Sequence, residues 1–238
     1  MDPIVIATGN PHKVDELRAI LGERGIPVIG LRDLPGEFHE PVEHGSTFEE
    51  NAAIKALSYA EQTGHICLAD DSGLEVDALG GAPGVISSHY STNGVETGLS
   101  RAERDSANNT LLLGRLQSAP EGKRTARFVC VMALAAPAGQ YGRQPTVLAT
   151  SRGTFEGRIG IPPAVPRGLN GFGYDPLFLL PHPDSRTSAE LDPDAKNRLS
   201  HRGAAARSMA IHIMRLWKSP DPAAQTAPPG TPPAPEPR

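Results

Sequence analysis

Cysteine is nearly missing from this 238-residue chain: Cys67 and Cys130 are the only two, 63 positions apart, with no CxxC pair. Both sit in apolar runs, which excludes a disulfide scaffold and a thiolate zinc site and points to buried thiols in a reducing, cytoplasmic compartment. No run approaches the roughly 18 apolar residues needed to cross a bilayer. The acidic N-terminus also lacks the charged and apolar regions of a signal peptide, so no membrane partner is expected. An excess of positive charge is missing as well. Lys and Arg total 23 against 27 Asp and Glu, for a net charge of -4, which argues against a nucleic-acid partner. GxxxxGK[ST], HExxH and GxSxG do not occur, and the glycines around Gly171 and Gly173 do not complete GxGxxG. The 8 histidines show no metal-ligand spacing. Any metal must then be held by oxygen, which favours magnesium or manganese over zinc.

What is present is a globular balance, with 38% hydrophobic and 21% charged residues. At roughly 100–200 residues per domain, the length fits one domain or two lobes sharing a core. Residues 1–218 read as the folded part. Ser219 to Arg238 hold 8 of the 24 prolines and almost no apolar bulk. That composition buries too little surface to offset ordering entropy and predicts a disordered tail, a polyproline recognition segment being the functional alternative.

Strands and helices alternate along the folded part. Ile4 to Ala7 reads as a buried strand, followed by Val14, Leu17, Ile20 and Leu21 at helical spacing. Pro27 to Leu31 reads as a second strand. Ser46-Thr47 ahead of Glu49-Glu50 is a capping-box signature that opens a helix to about Gln62. Ile66 to Ala69 reads as a strand and Leu74 to Val76 as another. A helix is expected near Arg101–Gln117, and a long central strand over Thr125 to Ala136. Pro145 to Phe155 would pair with that strand as a hairpin, and Ala204 to Trp217 would close the fold as a helix. The sum is an α/β protein with a mixed sheet flanked by helices.

Four segments carry polar chemistry. Thr8-Gly9-Asn10-Pro11-His12-Lys13 follows the first strand and opens a helix, where free N–H groups and a lysine one turn in suit an anion. Taken alone, the same residues read first as an ordinary capped turn. In the second segment, Asn51 and Lys55 share a helix face at i and i+4. Lysine itself is scarce, with Lys13, Lys55, Lys123, Lys196 and Lys218 beside 18 arginines. In the third, an apolar strand ends at Asp70-Asp71-Ser72-Gly73. That places two carboxylates at the carboxyl edge of a sheet, where they would share a divalent cation or a proton; a plain turn is the other reading. The fourth runs from Pro166 through Gly171-Phe172-Gly173-Tyr174-Asp175 to Lys196 and His201-Arg202. Its glycines would free the Phe172 ring to stack on a base, unless they pack it under the sheet.

Together the stretches ATGNPHKVDEL, TFEENAAIKA, LADDSGLEVDALGGAPGVISSHY, ARFVCVMAL, PRGLNGFGYDPLF and AELDPDAKNRLSHRGAA resemble the inosine/xanthosine triphosphate pyrophosphatases. They cover essentially the whole folded part. The resemblance implies an elongated two-lobed fold with a central cleft, a homodimer, and magnesium-dependent hydrolysis of ITP, dITP and XTP to the monophosphate and pyrophosphate. It implies that Thr8, Gly9, Asn10, Pro11, His12 and Lys13 bind the triphosphate and that Lys55 reaches the phosphates. Asp71 would be the catalytic acidic residue and a metal ligand, with Asp70 and Glu43 as further ligands and Ser72 on the substrate. Phe172, Gly173, Tyr174 and Asp175 would bind the base, with Lys196, His201 and Arg202 completing the pocket. A pyrophosphatase of another modified nucleotide, or a catalytically silent nucleotide-binding module, are the alternatives.

Overall fold

The most apolar stretch of the chain becomes the middle of the sheet. In the computed structural model, which describes residues 2–218, strand β4 (Thr125–Ala136) lies between β3 (Cys67–Val76) and β5 (Thr146–Ile159), antiparallel to both. β1 (Ile4–Ile6) adds to β3 in parallel and β2 (Val28–Gly30) adds to β1, also in parallel. The short β6 (Phe178–Leu179) closes the far edge. The sheet order is β2-β1-β3-β4-β5-β6. The helices are α1 (Pro11–Gly22), α2 (Phe48–Thr63), α3 (Arg101–Arg115), α4 (Pro193–Leu199) and α5 (His201–Lys218).

Strand alternation distributes the apolar side chains over three cores. On one face of the β1 end, Ile4, Ile6, Leu68, Met132 and Leu134 pack under α1 and α5. On the opposite face, Val5, Ala7, Cys67, Ala69 and Val131 pack under Ala52, Ala56 and Tyr59 of α2. Toward the other end, Leu74, Val76, Phe128 and Phe155 pack with Leu112 of α3, Tyr174 and Phe178. The mixed α/β sheet flanked by helices is the fold class expected. Along β3, Asp70 to Gly73 fall between Ala69 of one core and Leu74 of another.

Three expectations change. Asp70 to Gly73 is not a turn: β3 runs unbroken through it and pairs residue for residue with β4 from Val131 to Ala126 and beyond. β1 ends at Ile6 opposite Leu68, and an isolated bridge joins Glu75 to Pro83, so no strand pairs with Asp70–Gly73 on that side among the described residues. The carboxylates thus sit beside the carboxyl end of β1, on a strand that continues past it. β5 extends to Ile159 rather than stopping at Phe155. α5 begins at His201, so His201 and Arg202 form its first turn instead of preceding it. The tail expectation for Ser219 to Arg238 lies outside the described residues.

Candidate active site

The turn after β1 is built as the sequence predicts. Asn10 caps α1 by accepting from the His12 amide at 3.1 Å, Pro11 takes the first helical position, and the Thr8 hydroxyl accepts from the Asn10 amide at 3.2 Å. Gly9 faces open space. Lys13, one turn in, donates to Asp70 Oδ1 at 2.9 Å. His12 is exposed, and its ring makes no hydrogen bond among the described residues.

On α2, the Thr47 hydroxyl caps the helix by accepting from Glu50 N. That start sets Asn51 and Lys55 on the face turned to β3. Lys55 Nζ lies 3.1 Å from Asp71 Oδ1 and 3.0 Å from Glu43 Oε2, and Asn51 Nδ2 lies 3.4 Å from Asp71 Oδ2. Burial opposes the Lys55 charge, but Asp71 and Glu43 outweigh it and keep the ammonium protonated. Burial pushes the Asp71 carboxyl above the usual range; Lys55 pulls it down, and the second acid, Glu43, raises it again. One ammonium therefore serves two acids and leaves a residual negative charge.

Asp70 and Asp71 are not brought together around one ion. As neighbours in a continuous strand they point to opposite faces. Asp70 accepts from Lys13, from the Ser72 hydroxyl at 2.8 Å and from Arg202 Nε at 3.4 Å. Burial alone would raise its pKa, yet Lys13, Arg202 and Lys55 hold it far below the usual carboxylate range. The oxygen atoms that converge on a single cation belong to Glu43 and Asp71. They are hard ligands suited to magnesium. Among the described residues no group of three or more His, Cys, Asp or Glu could hold a metal by itself. A divalent ion here would complete its shell with substrate phosphates and water, as magnesium commonly does.

The base-side residues assemble as a second group. Phe172 is half-buried and belongs to none of the three cores. Arg101, Lys196 and Arg202 place their cations 4.4, 5.5 and 6.0 Å from its ring centroid. Asp175 is buried and fully engaged at Oδ2, accepting from the Phe172 amide at 2.9 Å and from Lys196 Nζ at 2.6 Å. Gly171 adopts φ +84°, and a Cβ there would collide with both members of that ion pair. Tyr174 is buried and donates its hydroxyl to Ser87 O at 2.8 Å, which makes it an anchor of the loop. His201 stacks on Phe128, with centroids 5.1 Å apart. Burial, with Arg202 and Lys196 close by, lowers its pKa well below 6.5, so the ring is neutral. Its Nδ1 is buried without a partner among the described residues. α5 lies this close to the sheet because residue 153 on β5 is glycine, where a Cβ would strike the His201 carbonyl and the Ala205 amide.

Arg202 joins the two groups, since its guanidinium touches Asp70 and Glu16 and also approaches the Phe172 ring. Four contributors were not singled out from sequence: Glu16, and the α3 residues Arg101, Asp105 and Asn109. A polar stripe at positions 101, 105 and 109 is the only local signal of the three α3 residues, and Glu16 has none.

Comparison with known proteins places the chain in a family. The Ham1 family model matches residues 4–212. A dITP/XTP pyrophosphatase from an Exiguobacterium species is 48% identical over 90% of this chain and 98% of its own length. One from Nitratidesulfovibrio vulgaris is 46% identical over 90% and 95%. Among solved structures, a HAM1 protein from Coxiella burnetii aligns with a TM-score of 0.74 at 38% identity, over 90% of this chain and all of that one. The family match spans the turn after β1, β3 and the first turn of α5, and the chain belongs to the Ham1 family.

Proposed function

We propose that this protein hydrolyses non-canonical purine nucleoside triphosphates, ITP, dITP and XTP, to the monophosphate and pyrophosphate, and so cleanses the nucleotide pool. The observation that carries the reading is Arg202. It links the Asp70–Lys13 pair beside the N-terminus of α1, fit for a polyphosphate, to a half-buried aromatic ring fit for a base. The names borne by the relatives agree with it.

Thr8 to Lys13 would receive the phosphate tail on the α1 N-terminus, where free amides and the helix dipole favour an anion. Lys13 and Lys55 would exchange their carboxylate partners for phosphate oxygens and stabilise the leaving pyrophosphate. Asp71 and Glu43 would hold Mg2+, which when bound supplies charge neutralisation at the scissile phosphates and a more acidic water. Asp71, raised in pKa and oriented by Asn51 and Lys55, takes the proton from the attacking water. Asp70 instead keeps Lys13, Ser72 and Arg202 in place.

At the base, Phe172 stacks, and the Lys196 and Arg202 donors read a 6-oxo group. A 6-amino group would leave buried donors facing a donor, at a cost of about 1–3 kcal/mol each. The resemblance further implies a homodimer, and the two buried thiols fit a reducing, cytoplasmic compartment. No helix among the described residues is long and apolar enough to cross a membrane.

The deciding experiment is a turnover panel of ITP, dITP, XTP, GTP and ATP with and without Mg2+. ITP, dITP and XTP are expected to turn over with the metal only, and equal cleavage of ATP and GTP would sink the reading. Light scattering on the same preparation checks for the dimer. Phe172→Ala should weaken nucleotide binding by roughly 1–3 kcal/mol, seen mainly in KM. Its melting temperature should hold, because the ring lies outside the cores. A large stability loss with normal KM would assign Phe172 to packing instead.

A further inference from the structure

Helix α3 lies beside the base-side group without touching the carboxylate cluster. Its residues Arg101, Asp105 and Asn109 fall at i, i+4 and i+8, on one face. All three meet the Phe172 loop. Arg101 covers the ring at 4.4 Å, the Asp105 carboxylate accepts from the Gly173 amide at 2.8 Å, and Asn109 Nδ2 donates to the Gly173 carbonyl at 3.1 Å. Both backbone groups of one glycine, held at φ +63°, are thus taken by side chains one helical turn apart.

The consequence is geometric. Gly173 N–H lies in the peptide plane that follows Phe172, and Gly173 C=O lies in the plane that precedes Tyr174. Holding both fixes the planes on either side of the glycine, which would otherwise rotate freely. The helix is itself braced. Buried Asn108, next to Asn109, accepts from Ser91 N at 2.8 Å and donates to Ser87 O and Ser88 O. Ser87 O is the same carbonyl that receives the Tyr174 hydroxyl. A rigid support of this kind keeps a recognition loop within the small tolerance that selectivity requires.

We propose that Asp105 and Asn109 are positioning residues for base selection, clamping the Gly173 peptides so that the Phe172 ring and the loop amides are presented to the purine in one orientation. The inference rests on the reading of this loop as the base-binding element. Neither residue touches the carboxylates, so the clamp governs substrate fit rather than the hydrolytic step.

The test is steady-state kinetics on ITP and ATP with melting curves, for Asp105→Ala, Asp105→Asn, Asn109→Ala, Phe172→Ala and the double variant Asp105→Ala/Phe172→Ala. Asp105→Ala should raise the ITP KM about tenfold with kcat within about threefold, and lower the ITP-over-ATP ratio of kcat/KM about tenfold. Asp105→Asn retains an acceptor for the Gly173 amide and should recover the ratio to within about threefold. Asn109→Ala should shift the ratio in the same direction, and it carries the test alone if Asp105→Ala does not fold. In the Phe172→Ala background the Asp105 change should add little, since the ring it orients is gone. A wild-type ratio in both alanine variants, or a full additive loss in the double variant, overturns the clamp. Phe172→Ala with unchanged KM would instead remove the base-loop reading itself, a separate failure.

Discussion

Asp71→Asn is expected to lower ITP turnover by at least about a hundredfold, within the usual range for loss of a general base. The carboxylate contributes most in the transition state, when charge moves toward the bridging oxygen and a proton must leave the attacking water. Asparagine keeps the size and an oxygen for Lys55 and Asn51, and Lys55 retains Glu43 as a partner. The fold should therefore survive, and metal-free ITP affinity should hold or rise as a negative charge beside the phosphates is removed. Turnover and metal-free binding on one folded preparation decide it. Turnover within about fivefold of the parent, only about 1 kcal/mol of barrier, would move catalysis off Asp71.

Asp70→Asn is expected to act on stability first. Asp70 and Arg202 side chains are 1% and 4% exposed, and Lys13 is 17% exposed, so removing the anion leaves two cations in a poorly hydrated place. Breaking a buried pair typically costs about 3–5 kcal/mol. Arg202 keeps Glu16 at 2.7 Å, so we expect the lower end, near 3 kcal/mol, or about 6–12 °C of melting temperature for a chain of this size. The pH dependence has a definite sign. The folded-state pKa of Asp70 lies below the unfolded value of about 3.9, so its stabilisation is complete above that pH and drains away as pH falls toward the folded value. The gap between parent and variant should be widest near neutrality and shrink below about pH 4. Thermal unfolding of both proteins from pH 3 to pH 8 measures it. A gap that is constant across this range would mean the ion pairs contribute nothing.

These two aspartates also mark the boundary of what a linear reading reaches. Adjacent in sequence and equally acidic, they read either as one carboxylate pair at the end of a strand or as part of a plain turn. The strand through them separates their fates: one is locked among Lys13, Ser72, Arg202 and the Cys130 thiol on the α1–α5 face, the other is left basic between Lys55 and Glu43 on the α2 face. Asp-Asp-Ser-Gly is compatible with a turn or an extended run, and ten consecutive pairings with β4 choose the second.

Features that depend on neighbours within a turn or two are readable along the chain. The Asn10-Pro11 start of α1, the Thr47 and Glu50 cap of α2 and the apolar run of β4 were all legible, because caps and periodicity are satisfied locally. So was the shared face of Asn51 and Lys55. The tertiary structure alone decided which polar groups meet across the chain. Arg202 reaches Asp70 over a separation of 132 residues, and Asn109 reaches Gly173 over 64. Gly153, unremarkable in a strand, decides how closely α5 can approach. Such contacts are set by how helices pack on a twisted sheet, and no local propensity encodes a partner that only close packing brings within hydrogen-bond range.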